Sequence, residues 1–260
     1  MVNFRILILL FALCARCDVA HGHAGDPTVY VSYRNDLGQP TLVSSEATSA
    51  VIQDAPAADV PGIFRELGNT RCTSVSFYRC DNLSISSLKY LPTAVTVVRF
   101  HACSFVPLPS GEPVKELPWG ILLLDNCSGV EHLQLAGGRL HEVLLTGVTL
   151  PSLPTWLGSS GLKSIKLKQC RIGSFDLSLL VGRNIERLTL VECVIDQYRP
   201  SGGPIEVMDL ELTRVSGAFV PEEFLVSDKL EGVLVREVHL SPGAARRLTI
   251  LRLRGVSIRE

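Results

Sequence analysis

The chain has 260 residues, 46% of them hydrophobic and 20% charged, with a formal net charge of −1. That apolar share is ample for a continuous core in one or two domains and excludes a disordered chain. So small a net charge supplies no overall field for nucleic acid or an anionic membrane, and leaves only local patches for such partners.

At the N-terminus, one positive charge in Met1 to Arg5 precedes a short apolar run, Ile6 to Leu13, and then small residues at Ala15, Ala20 and Gly22. This order reads as a secretory signal peptide over residues 1–22, with cleavage after Gly22 and Cys17 or Ala24 as alternative ends. The run is too short to span a bilayer comfortably, and no second apolar segment of membrane length follows. The expected mature product is soluble and extracellular.

Residues 23–70 read as an N-terminal cap joined to a mobile segment. TVYVSYR has the composition of a capping strand, QPTLVSSEATSAVIQDAPAADVP is polar and small-residue rich, and PGIFREL fits a helical turn over whatever follows.

From residue 71 the chain repeats itself. In IERLTLVECVI, residues 185–195, Ile185, Leu188, Leu190, Cys193 and Ile195 sit at steps of three, two, three and two, an order that neither a plain helix nor a plain strand explains. The same order recurs in CTSVSFYRCDN, VTVVRFHACSF, WGILLLDNCSG, LHEVLLTGVTL, LKSIKLKQCRI, VMDLELTRVSG, LEGVLVREVHL and LTILRLRGVSI. The ninth position of each copy falls at Cys80, Cys103, Cys127, Val148, Cys170, Cys193, Val215, Val238 and Val256, a period near 22 residues. Nine copies of L-x-x-L-x-L-x-x-[NC]-x-L resemble the leucine-rich-repeat family.

The resemblance implies an α/β solenoid: an arc in which each copy supplies one short strand to a concave parallel sheet, with irregular or short-helical returns on the convex side. The array is expected over residues 71–260. Proline- and glycine-rich returns such as VPLPSGEPVKELP and PSLPTWLGSSG suit tight turns, and VPEEFLVSDK suits a helical turn begun by Pro221. Five cysteines become inward ladder residues at the place where the family usually carries asparagine. Cysteine is small, readily buried and a weak donor, so free thiols are the expected state and cross-coil bridges the alternative. The four ladder valines have no donor, so their turns need another source of hydrogen bonds. The last copy ends two residues before the chain does and carries no obvious cap, which suggests a fragment, or a homo- or heterodimer through that coil.

The outward positions of the strands carry the candidate site. Leu123 and Leu144 are adjacent apolar residues on a face that should be solvated, and Arg99, His101, Lys166 and Lys168 lie beside them. An apolar pair rimmed by charge has the composition of a partner-binding patch. Arg252 and Arg254 form a second basic pair on the ninth copy. Asn82-Leu83-Ser84 and Asn126-Cys127-Ser128 are glycosylation sequons, Asn82 being the better placed because Asn126 adjoins a ladder residue.

No nucleophile elbow, zinc-protease helix, phosphate loop or dinucleotide fingerprint occurs, and the mature chain has no zinc-finger spacing. No catalytic residue, metal or cofactor is therefore assigned. The expectation is a secreted module that binds an extracellular protein or glycan through its concave face, with no nucleic-acid partner. Its C-T-x-V-x-F and L-P-L-P phrases are similar to short secreted insect immune-type members of the family, although the coiled coil many of those carry is missing. The alternatives are a parallel β-helix enzyme acting on polysaccharide and a truncated receptor ectodomain.

Overall fold

The computed structural model describes residues 28–32, 48–68, 70–84, 88, 90–107, 114–115, 120–136, 139–158, 161–203 and 205–259. The signal-peptide segment lies outside the described residues. The remainder is α/β, built mostly from parallel strands with few helices, an arrangement compatible with a solenoid.

The long sheet has eleven strands, all parallel. In spatial order they are Thr28–Ser32, Ser49–Gln53, Ser74–Tyr78, Val97–His101, Ile121–Asp125, Glu142–Thr146, Ser164–Lys168, Asn184–Val191, Glu206–Thr213, Gly232–Arg236 and Ser257–Arg259. Spatial order equals chain order, so each strand is followed by a return that brings the chain back one step along the same sheet. Register is in phase. Ile52, Phe77, Phe100, Leu124, Leu145, Leu167, Leu190, Leu212 and Val235 form one unbroken inward row, and Ala50, Val75, Val98, Leu122, Val143, Ile165, Leu188, Leu210 and Val233 form the other. A single coil would leave half of each inward side chain in water, so burial is completed only by its neighbours.

The bend after each strand is set by one residue. Asp54, Arg79, Ala102, Asn126, Gly147, Gln169, Glu192, Arg214 and Glu237 all have φ between 50° and 63° and stand directly before the ladder residues Ala55, Cys80, Cys103, Cys127, Val148, Cys170, Cys193, Val215 and Val238. Backbone bonds between coils hold these bends. The amide of Gly147 donates to the Lys168 carbonyl at 2.9 Å and that of Arg214 to the Arg236 carbonyl at 2.9 Å, while the Val148 carbonyl accepts from Arg171 at 3.0 Å. The valine ladder positions thus need no side-chain donor. Eight of the nine bends put a side chain in the left-handed region that disfavours it. We expect Ala102→Gly to raise stability by about 0.5–1 kcal/mol, the strain relieved less the added backbone entropy; a lowered melting temperature would contradict it.

At the cysteine bends the thiol reaches back to the preceding coil. Cys103 Sγ lies 3.6 Å from the Phe77 carbonyl, Cys127 Sγ 3.5 Å from that of Phe100, Cys170 Sγ 3.5 Å from that of Leu145 and Cys193 Sγ 3.3 Å from that of Leu167. Cys72, Cys80, Cys103, Cys127, Cys170 and Cys193 are free and buried. The Cys103 thiol is held protonated far above its ordinary value of 9.0 by hydrogen bonds with Cys127 and Cys80 and by burial; Cys170 is raised by Cys193 and by burial. For these two the folded state keeps its proton where the unfolded chain would lose it. Iodoacetamide at pH 8 is expected to leave these six thiols unmodified in the native protein and to alkylate them in denaturant, read by peptide mass mapping; rapid native labelling of the ladder cysteines would contradict this packing.

The returns carry a second parallel sheet, Thr149–Ser152, Arg171–Asp176, Val194–Arg199 and Ser216–Gly217, which buries Leu150, Ile172, Phe175 and Ile195 behind the long sheet. Short 3₁₀ turns close several coils at Val130–His132, Thr155–Gly158, Leu177–Leu180 and, as the sequence suggests, Pro221–Glu223. Phe64, Phe77, Phe100 and Phe105 make a chain of rings through the first coils, with centroids 5.7, 4.8 and 5.0 Å apart.

Two expectations about the ends change. Ser49–Gln53, inside the segment read as mobile, is a strand of the long sheet, and Asp54 and Ala55 give it the same bend as the later coils. Helix α1, Val60–Leu67, forms where PGIFREL suggests, because Val60, Ile63, Phe64 and Leu67 line one face and reach the core. The ninth copy is not a coil. Residues 248–253 belong to helix α2, Pro242–Leu253, begun by Ser241, whose hydroxyl accepts from the Ala244 amide at 3.1 Å, and by Pro242 in the first turn. The strand Ser257–Arg259 then pairs with Gly232–Leu234.

Candidate functional site

The outward face of the long sheet brings together the residues the sequence singles out. Register places Arg99 beside Leu123, Leu123 beside Leu144 and Leu144 beside Lys166, while His101, Asp125, Thr146 and Lys168 form the parallel row two residues on. The apolar pair is larger than its motif positions indicate. Ile121 stands two residues before Leu123 on the same face and pairs with Val97 of the neighbouring strand, so Val97, Ile121, Leu123 and Leu144 make one continuous, partly exposed patch across three strands. Val97 and Ile121 were legible from the same two-residue alternation, which puts the third position of each copy on this face with the fifth and seventh.

Charge around the patch is organised. His101 Nδ1 lies 2.6 Å from Asp125 Oδ2, and the His101 ring sits 5.4 Å from that of Tyr78. Lys166 Nζ donates to Glu142 Oε1 at 2.6 Å, with both side chains about three-quarters covered (26% and 27% exposed). Both acids that border the patch therefore have a side-chain partner, His101 for Asp125 and Lys166 for Glu142. Among the described residues, Arg99 and Lys168 have no ion pair, so the charge left over at the rim is positive. Further along the face Thr189 is only 2% exposed, flanked by Lys166 and Glu211, and its hydroxyl lies 3.3 Å from Glu211 Oε2. Such a surface can desolvate against an apolar partner group while its rim makes hydrogen bonds.

Arg252 and Arg254 do not belong to this face. Both are exposed at the end of α2, and Arg254 Nη1 lies 3.3 Å from Asp228 Oδ1. The coil on which a C-terminal dimer was to rest is this helix and its following strand.

The two sequons differ locally. Asn82 is exposed with φ 55°, its backbone N–H donating to Ser104 Oγ at 2.9 Å. Asn126 is exposed with φ 51°, but its Nδ2, the atom a glycan would occupy, donates to Asp125 Oδ1 at 2.9 Å, and its Oδ1 packs where a Cβ on Gly147 would stand. Asn82 is thus the freer acceptor.

His132 and His141 do not assemble with acids into a reactive group. His132 Nε2 is 3.9 Å from Glu131 Oε1 on an open 3₁₀ turn, and His141 Nδ1 faces the Arg139 carbonyl at 3.2 Å. Among the described residues no group of three or more His, Cys, Asp and Glu is placed to hold a metal ion, and no helix is long and apolar enough to cross a membrane. Neither a family model nor a curated protein matches the sequence.

Proposed function

We propose that this chain is a secreted leucine-rich-repeat module that recognises an extracellular protein or glycan through the outward, concave face of its long sheet, in immunity or adhesion. The observation that carries the reading is the continuous patch of Val97, Ile121, Leu123 and Leu144, rimmed by Arg99, His101, Lys166 and Lys168, on strands paired with a neighbour on both sides. A binding role is favoured over catalysis because the acids beside the patch are already engaged, Asp125 with His101 and Glu142 with Lys166. The polysaccharide-cleaving alternative draws some support from the second sheet, since two strand segments per coil approach the three of a parallel β-helix. Asn82 is the proposed glycan site.

The test is affinity capture from the native extracellular fluid with wild type and with Leu123→Asp plus Leu144→Asp. Two buried carboxylates at the centre of a contact are expected to reduce capture at least tenfold while leaving the melting temperature within a few degrees. Equal capture by both proteins would remove the patch from the account.

A further inference from the structure

Helix α2 fixes one face in the fold and leaves the other unpartnered. Ala244, Leu248 and Leu251 are buried against the last coils. At 100° per residue Leu253, Arg246 and Ile250 fall opposite that buried face, and Arg247 stands on its flank, about 40° from Leu251. Leu253 is 84% exposed and Ile250 39%, the former the most exposed large apolar residue among those described. Nothing in the coil requires this, since a leucine that serves the core is covered, as Leu248 and Leu251 are.

The charge is one-sided. Residues 241–260, SPGAARRLTILRLRGVSIRE, contain five arginines and a single acid, Glu260, although the whole chain is close to neutral. Arg246 and Arg247 are exposed and have no ion pair among the described residues; Arg254 meets Asp228, itself almost fully exposed. A second copy offering the same face would set arginine against arginine, which argues against symmetric self-docking through it.

The geometry points to a peripheral docking site for an anionic lipid surface, independent of the long sheet. Leu253 and Ile250 would enter the headgroup–acyl boundary while Arg246 and Arg247 engage lipid phosphates and carboxylates. A protruding aliphatic side chain between arginines suits that boundary better than a flat protein contact, whose anchors are aromatic and sit in pockets. Guanidinium groups match phosphate bidentately, and each basic residue near such a surface strengthens binding about fivefold. The helix lies on the surface and does not cross it.

The full chain would be mixed with vesicles of phosphatidylcholine containing about 30% phosphatidylserine, or none, and the bound fraction read by co-sedimentation at low and physiological salt. Binding is expected to the anionic vesicles alone and to weaken with salt. Arg246→Glu with Arg247→Glu should reduce the partition coefficient at least tenfold, and Leu253→Ser several-fold; these exposed positions leave the fold intact, checked by circular dichroism. Leu123→Asp with Leu144→Asp should bind vesicles as wild type does, which separates this surface from the long-sheet patch. Wild type that ignores anionic vesicles overturns the proposal, and if it then binds poly-glutamate the face belongs to an acidic protein. Vesicle binding that survives both α2 variants overturns it equally.

Discussion

Phe77→Ala is expected to destabilise the protein by about 3–5 kcal/mol and to lower its melting temperature by roughly 10 °C. Phe77 is fully buried in the inward row of the third strand, edge-on to Phe64 of α1 at 5.7 Å and stacked on Phe100 at 4.8 Å. The helix that covers the first coils and the coil beyond both rest on this one ring. Truncation loses its transfer free energy and two ring contacts, and leaves a cavity that parallel strands fixed in register cannot close. Because neighbouring coils contribute most of each other's burial, unfolding should begin at this end, seen as an early loss of hydrogen-exchange protection in 49–78. Gln197→Ala, on an exposed position of the second sheet, should change stability by under about 0.5 kcal/mol. A Phe77→Ala effect below about 1 kcal/mol would mean that the ring chain does not exist.

Gly217→Ala should cost about 3 kcal/mol for a backbone reason. Gly217 has φ 93° in the last strand of the second sheet, and a Cβ there would lie 2.0 Å from the Ile195 carbonyl oxygen of the coil before. No rotamer relieves a clash with backbone, so the two coils must separate locally. Gly182→Ala is the matched control. It also has positive φ, 68°, but a Cβ would meet nothing within 4 Å, so only the left-handed strain of about 1 kcal/mol is expected. Equal losses in the two variants would show that coil spacing at Gly217 is not tight.

The repeating part of this architecture is legible in the sequence because one pattern performs two tasks. Alternation within a copy sets which side chains point inward, and the 22-residue spacing returns each to the same height in the next strand. The ends are harder for specific reasons. Ser49–Gln53 escapes because alanine stands at 50 and 55, where the other copies carry valine, leucine or isoleucine and then cysteine or valine, although the bend at Asp54 is the same. In LTILRLRGVSI, Leu248 and Leu251 are three apart, a spacing that serves a helix as well as the start of a repeat. Ser241-Pro242 upstream supplies the helix start, and the leucine the repeat would bury, Leu253, is exposed instead. Within the site, Leu123 and Leu144 and the flanking cations are visible in the spacing. That His101 meets Asp125 and Lys166 meets Glu142 depends on register between strands more than 20 residues apart, which spacing suggests and only the assembled sheet fixes.

The account rests on parallel strands stacked in chain order with their outward residues in line. Pulsed electron–electron distance measurements between a spin label at Ser76 and a second at Lys166, Glu211 or Leu234 test this most directly. These residues lie four, six and seven strands away in the same outward row. At about 4.8 Å per strand the account predicts narrow distributions near roughly 19, 29 and 34 Å, shortened slightly by curvature. Distances that fail to rise in that order, or broad distributions for all three pairs, would contradict it.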